Sequence, residues 1–146
     1  MSADHLIKAL ALAPHPEGGY YRETFRDPRC TPDGRSVSTA IYFLLAAGEI
    51  SRWHKVDAAE IWHWYAGAPL ELSVAPDDSS PPTRMILSAD LASGGRPQLV
   101  VPAGHWQQAR SMGSWTLAGC TVAPGFEFAG FVMSEVGFEP GGVRKD

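Results

Sequence analysis

The chain has 146 residues, 45% of them hydrophobic and 19% charged, which suits one folded domain with a real core and excludes a disordered chain. A net charge of −4 with scattered arginines gives no basis for nucleic-acid binding. No apolar run is long enough to cross a bilayer as a helix, and two cysteines do not make a disulfide framework.

In chain order, Ser2 reads as an N-cap, and Leu6, Ile7, Leu10 and Ala11 fall on one face at helical spacing. Pro14 and Pro16, followed by Gly18 and Gly19, predict that this helix ends within residues 1–14. Asp4, His5 and Lys8 interrupt the segment, so it does not read as a signal peptide, and the expected location is the cytoplasm. Short apolar or aromatic runs follow at 20–25, 37–45, 61–65, 70–75, 84–87, 98–101, 114–121 and 127–134. Between them lie breakers such as Pro32-Asp33-Gly34, Pro76-Asp77-Asp78 and Pro124-Gly125. Many short strands with one helix predict an all-β sandwich or barrel in a single domain over 1–146, with a frayed polar tail at 140–146.

The stretch from Gly48 to Gly67 resembles the first cupin motif: His54, Glu60 and both glycines fall on pattern, while Val56 stands where a second His is usual. Pro102-Ala103-Gly104-His105-Trp106-Gln107 resembles the second motif, with Gln107 at the ligand position. Together with His15-Pro16-Glu17-Gly18-Gly19-Tyr20-Tyr21-Arg22 and Thr121-Val122-Ala123-Pro124-Gly125-Phe126, these motifs make nearly the whole chain similar to the Cupin_5 group. That resemblance implies a double-stranded β-helix (a jelly roll of the epimerase-like kind) and a homodimer; it implies no particular reaction.

The motif residues then weigh the chemistry. A metal enzyme needs at least three donors, and His54 and Glu60 are sound, but Gln107 offers a neutral amide and Val56 nothing. The expectation is a site without metal or other cofactor; any divalent ion would fall to His54, Glu60 and Gln107. Strand alternation sets Glu60, Trp62 and Trp64 on one face and His63 on the other. Trp62 and Trp64 are therefore candidate walls for a sugar-like ligand. Sugar-nucleotide epimerases share this barrel and use a pocket His as base, so His54 with Glu60 is the candidate catalytic pair, and Tyr42 or Tyr21 the candidate acid. Arg22, Arg52 and Glu23 are candidate ligand contacts, though surface pairing is the commoner fate of each, as it is for Glu17. His5, His15 and His105 read as surface or turn residues. The sequence thus yields a pocket for a small polar metabolite, with a metal-independent epimerase or isomerase as the first alternative and a metal-dependent cupin enzyme as the second.

Overall fold

A computed structural model describes residues 1–142. The helix α1 covers Ala3–Ala9, and the Ser2 hydroxyl accepts the His5 N–H at its start. It stops five residues short of Pro14 because Ala11 turns to a φ of 54° and Leu12 folds back, its N–H bonding to Ile7 O. Leu6 and Leu12 bury against Leu44 and Leu117.

The strands are β1 (Ala13–Pro14), β2 (Tyr20–Arg26), β3 (Thr39–Ala46), β4 (Ile50–Val56), β5 (Ala59–Gly67), β6 (Leu70–Ala75), β7 (Thr83–Leu87), β8 (Gln98–Val101), β9 (Trp106–Ser111), β10 (Trp115–Ala123) and β11 (Phe131–Met133). They form two antiparallel sheets, one in the order β1-β2-β3-β10-β5-β8 and the other β11-β4-β9-β6-β7. The predicted runs recover eight of these strands closely or in part, but β4 and β9 carry no clean apolar run. Several of their inward positions are polar, namely Ser51, His54, Gln107 and Ser111, beside the apolar Val56 and Ala109. The predicted strand at 127–134 is a 3-10 turn over Phe128–Gly130 leading into β11.

Between the sheets lies the core of Phe43, Leu45, Trp62, Leu70, Leu72, Val74, Leu87, Val101 and Cys120. β3 is buried on both faces: Phe43 and Leu45 point into the core, Leu44 and Tyr42 toward α1. This parity, carried across the β2–β3 pairing of Tyr21 with Phe43 and Arg22 with Tyr42, decides which side chains of β2 reach the interior. Of the tail, residues 143–146 lie outside the described residues. Pro140 is buried and the Gly141 N–H bonds Asp78 O at 2.8 Å, so the described part of the tail is held down. No helix among the described residues is long and apolar enough to cross a membrane.

Candidate functional site

At one end of the sandwich the sheets leave a cavity of about 120 Å³. Its apolar wall is Ile41, Val56, Val122, Tyr21 and the phenylalanines 126, 128 and 131; its polar groups are His15, Glu17, Glu23, Arg26, Thr39, His54, Glu60 and Cys120. The aromatic wall is therefore phenylalanine and tyrosine, where tryptophan was expected.

His54 comes inward from β4, next to a break in the β4–β9 register between Ser51 and His54. Its partner is Glu17, from the loop between β1 and β2. His54 Nδ1 lies 2.7 Å from both Glu17 Oε2 and Arg52 O; it donates to the Arg52 carbonyl, while Glu17 Oε2 is its ion-pair neighbour, a buried oxygen with no hydrogen-bond partner among the described residues. The carbonyl acceptor and the carboxylate charge beside Nδ1 keep that nitrogen protonated and leave Nε2 as the free one. No hydrogen bond among the described residues uses Nε2. Burial would discharge the imidazole, but the adjacent Glu17 charge, helped by Glu60 and the Arg52 carbonyl, more than offsets it and holds His54 above its ordinary value. Glu17 is the mirror case, held below the usual carboxylate range by His54 against the effect of its own burial.

The sequence paired His54 with Glu60 instead. Glu60 lines the same cavity, but no hydrogen bond joins them; their coupling is through charge alone. Glu60 Oε1 accepts from Gln107 Nε2 at 2.7 Å, and Gln107 Oε1 accepts from Trp62 Nε1 at 2.9 Å. Since an indole N–H can only donate, Trp62 fixes the amide orientation, and the amide in turn offers Glu60 a donor. Burial pushes the Glu60 carboxyl up to about 7, despite the nearby His54 charge. The Cys120 thiol, buried beside Glu60, is pushed well above its ordinary value and is no nucleophile.

This arrangement has a pH signature. A carboxyl at about 7 folded and 4.5 unfolded gives stability that is complete below pH 4.5 and lost as pH rises through 7. The loss amounts to about 3 kcal/mol from that shift. Glu60→Gln should remove it, so the wild-type minus variant difference in urea unfolding free energy should fall between those two pH values. A constant difference would show that Glu60 ionises normally.

The other candidates are placed as follows. Tyr42 faces α1 and packs with Tyr65, outside the cavity, whereas Tyr21 lines it. Arg22 is turned outward, donating to Leu10 O at 3.0 Å. Glu23 lines the mouth and pairs with Arg26 at 2.6 Å. Arg52 donates to Ser134 O at 2.9 Å on the far side of β4. Trp62 and Trp64 point inward as alternation predicts, but they belong to the core behind the cavity, and Trp64 Nε1 bonds Ala68 O. Gln107 stands behind Glu60 and does not line the cavity. His15, read from the sequence as a turn residue, is buried in the site. Glu17 and His15 lie far from both motifs in sequence; the signals were their place in the 15–22 stretch that carries the family resemblance and the glycine pair after Glu17. A Cβ on Gly18 would sit 2.3 Å from Ile50 O, and one on Gly19 2.8 Å from Leu44 O, so this loop wedges between β3 and β4 only because both residues are glycine.

The donor set for a cupin metal is incomplete. Val56 is apolar, both ends of the Gln107 amide are engaged, and His54 and Glu60 remain as two ligands. Among the described residues, no three His, Cys, Asp or Glu side chains group as metal ligands.

Residues 4–134 match the family described as Cupin_5, Cupin superfamily (DUF985). The crystal structure of a protein from Shewanella oneidensis is similar at 37% identity and TM-score 0.87, covering 92% of this chain and 85% of that one. A hypothetical protein from Leishmania major is similar at 31% identity and TM-score 0.82, covering 90% of this chain and 86% of that one. Oxalate decarboxylase from Bacillus subtilis shares 16% identity at TM-score 0.61, with 82% of this chain covered against 29% of that enzyme, a likeness of fold alone. No curated protein matches the chain. With the family match spanning nearly all of the sequence and the two sheets closing on one cavity, the chain belongs to the Cupin_5 family of the cupin superfamily and has its jelly-roll fold.

Proposed function

We propose that the protein receives one small polar ligand, ring- or sugar-like, between the Glu17–His54 pair and Glu60, without a metal or organic cofactor. The observation that carries this reading is His54 Nε2, a nitrogen of a buried side chain with no protein partner, beside an aromatic-walled cavity. Buried polar groups are nearly always satisfied, yet Glu17 Oε2 beside this imidazole is buried with no hydrogen-bond partner among the described residues, so the pair, with Nε2 also unbonded, is arranged for something that enters. A thermal-shift panel of monosaccharides, keto-sugars and small cyclic carbonyls tests it. A ligand at a hundred times its Kd stabilises by about 2.7 kcal/mol, a shift of several degrees for a domain of this size. The shift should vanish in His54→Ala and persist in Arg84→Ala, whose site lies on β7 outside the cavity. Equal shifts in both variants would rule out the pocket.

A second reading, proton transfer, is favoured by the pairing of a carboxylate-backed imidazole with a carboxyl near 7 on one cavity. His54 Nε2 takes a proton from the carbon beside a carbonyl; the C–H electron pair forms the enolate C=C, and negative charge moves to oxygen. Protonated Glu60 returns a proton to carbon, and the enolate electrons re-form the carbonyl. Exchange of solvent deuterium into a keto-sugar should then fall at least about a hundredfold in His54→Ala. Its rate should climb with pH as His54 deprotonates and decline through about 7 as Glu60 ionises. Undiminished exchange in the variant excludes this reading and leaves the binding one intact.

A further inference from the structure

His15 has no part in the two motifs, yet it is buried in the same cavity, its side chain 5% exposed. Its ring sits edge-on to Tyr21 at 4.5 Å and to Phe43 at 5.8 Å, with Phe128 and Phe131 close by. Its Nδ1 accepts the Glu17 backbone N–H at 3.1 Å. A nitrogen that accepts carries a lone pair, so the proton of the neutral ring resides on Nε2. No hydrogen bond among the described residues uses that Nε2–H. The two imidazoles are thus oriented in opposite senses: the Glu17 backbone N–H fixes His15 with Nε2 as donor, and the Arg52 carbonyl, with the Glu17 charge beside it, fixes His54 with Nε2 as the lone-pair nitrogen of the neutral ring.

Two further observations restrict what can sit against these nitrogens. The cavity, about 120 Å³, is near the roughly 150 Å³ that takes a benzene-sized molecule, so the part of a ligand that reaches these nitrogens is a single small ring. Its lining carries the carboxylates Glu17 and Glu23 and the carboxyl Glu60, and its two cations are already engaged, Arg26 with Glu23 and His54 with Glu17. That balance disfavours an anionic ligand.

We infer that His15 is a fixed hydrogen-bond donor to the ligand, and that the cavity selects a compact, uncharged molecule whose carbonyl oxygen accepts from His15 Nε2. This assignment rests on the small-ligand reading above and narrows its ligand class. It also gives an enolate oxygen, where proton transfer occurs, a donor that is not Tyr42.

The test uses two rings of equal size, cyclopentanone and methylcyclopentane, titrated into ¹⁵N-labelled protein. Histidine ¹⁵N spectra of the free protein should show His15 protonated on Nε2 alone across neutral pH; protonation on Nδ1 overturns the assignment. Cyclopentanone should shift the His15, His54 and Phe131 resonances saturably, and methylcyclopentane should bind at least about tenfold more weakly. His15→Phe, which keeps a ring among the aromatic neighbours, should lose about that same factor for the ketone, and His15→Gln should restore it. Equal affinity of the two rings, or no loss in a folded His15→Phe, overturns the donor role while leaving the pocket reading standing. Perturbation of the cavity by a sugar nucleotide and by neither ring overturns the ligand class. If neither ring nor any member of the thermal-shift panel perturbs a cavity residue, the pocket reading itself falls.

Discussion

Replacing Glu17 with alanine should cost about 3–5 kcal/mol of unfolding free energy, the range for breaking a buried ion pair from one side. Glu17 and His54 are 5% and 2% exposed, so solvent neither screens the pair nor compensates its loss. The glutamine variant separates charge from shape. In Glu17→Gln the burial of His54 meets only the weaker opposition of Glu60 and the Arg52 carbonyl, so the imidazole should move from above its ordinary 6.5 to below it. An NMR titration of the His54 ring protons reads this directly. The stability profile gives a second check. Because the folded pKa of Glu17 is depressed, its contribution is present above its unfolded value of 4.5 and lost as pH falls through the folded value. That acid-side loss should be absent in Glu17→Ala. A cost under about 1 kcal/mol with an unmoved His54 titration would mean that the two residues are neighbours and not a pair.

Gly18→Ala should be nearly as damaging although it adds one methyl group. Its φ is +109°, where a side chain is strained by about 1–3 kcal/mol, and its Cβ would lie 2.3 Å from Ile50 O, a backbone atom of β4. The overlap adds about 1–3 kcal/mol more, since β4 must shift to relieve it. Gly34→Ala is the control: φ is +89°, with no atom within 4 Å of its Cβ, so it carries backbone strain alone. Because the loop carries Glu17, Gly18→Ala should also lower the His54 pKa, as Glu17→Gln does, and Gly34→Ala should not. If the two alanine variants unfold at the same urea concentration, the wedge between β3 and β4 does not bear on stability.

The barrel was legible in the sequence because strand punctuation by Gly, Pro and Asp is local chemistry. His54 and Glu60 were legible from their spacing around fixed glycines. Their partners were not. Glu17 meets His54 through a loop whose seating depends on the distance of Gly18 from Ile50 O, a tertiary fact. Tyr42 and Tyr21 could not be separated until the β2–β3 register placed one against α1 and the other against Phe43. The expected tryptophan wall failed for a related reason. Trp62 and Trp64 do face inward, but the cavity occupies only the end of the sandwich where β5 begins, and Glu60 alone of that row reaches it. Polar inward residues also concealed β4 and β9, so the two strands that build the site gave the weakest signal of strand.

The Cys120 thiol gives the site a native vibrational reporter. It is sealed inside the barrel next to Glu60, and the chain's one other thiol, Cys30, is exposed. S–H stretching absorbs where water and the peptide groups are nearly transparent, and its frequency drops as the hydrogen bond it donates strengthens. With Cys30 changed to serine, an infrared spectrum of unlabelled protein would therefore register the moment Glu60 gains or loses its proton, or a ligand displaces the contact, without a dye and without knowing what the ligand is.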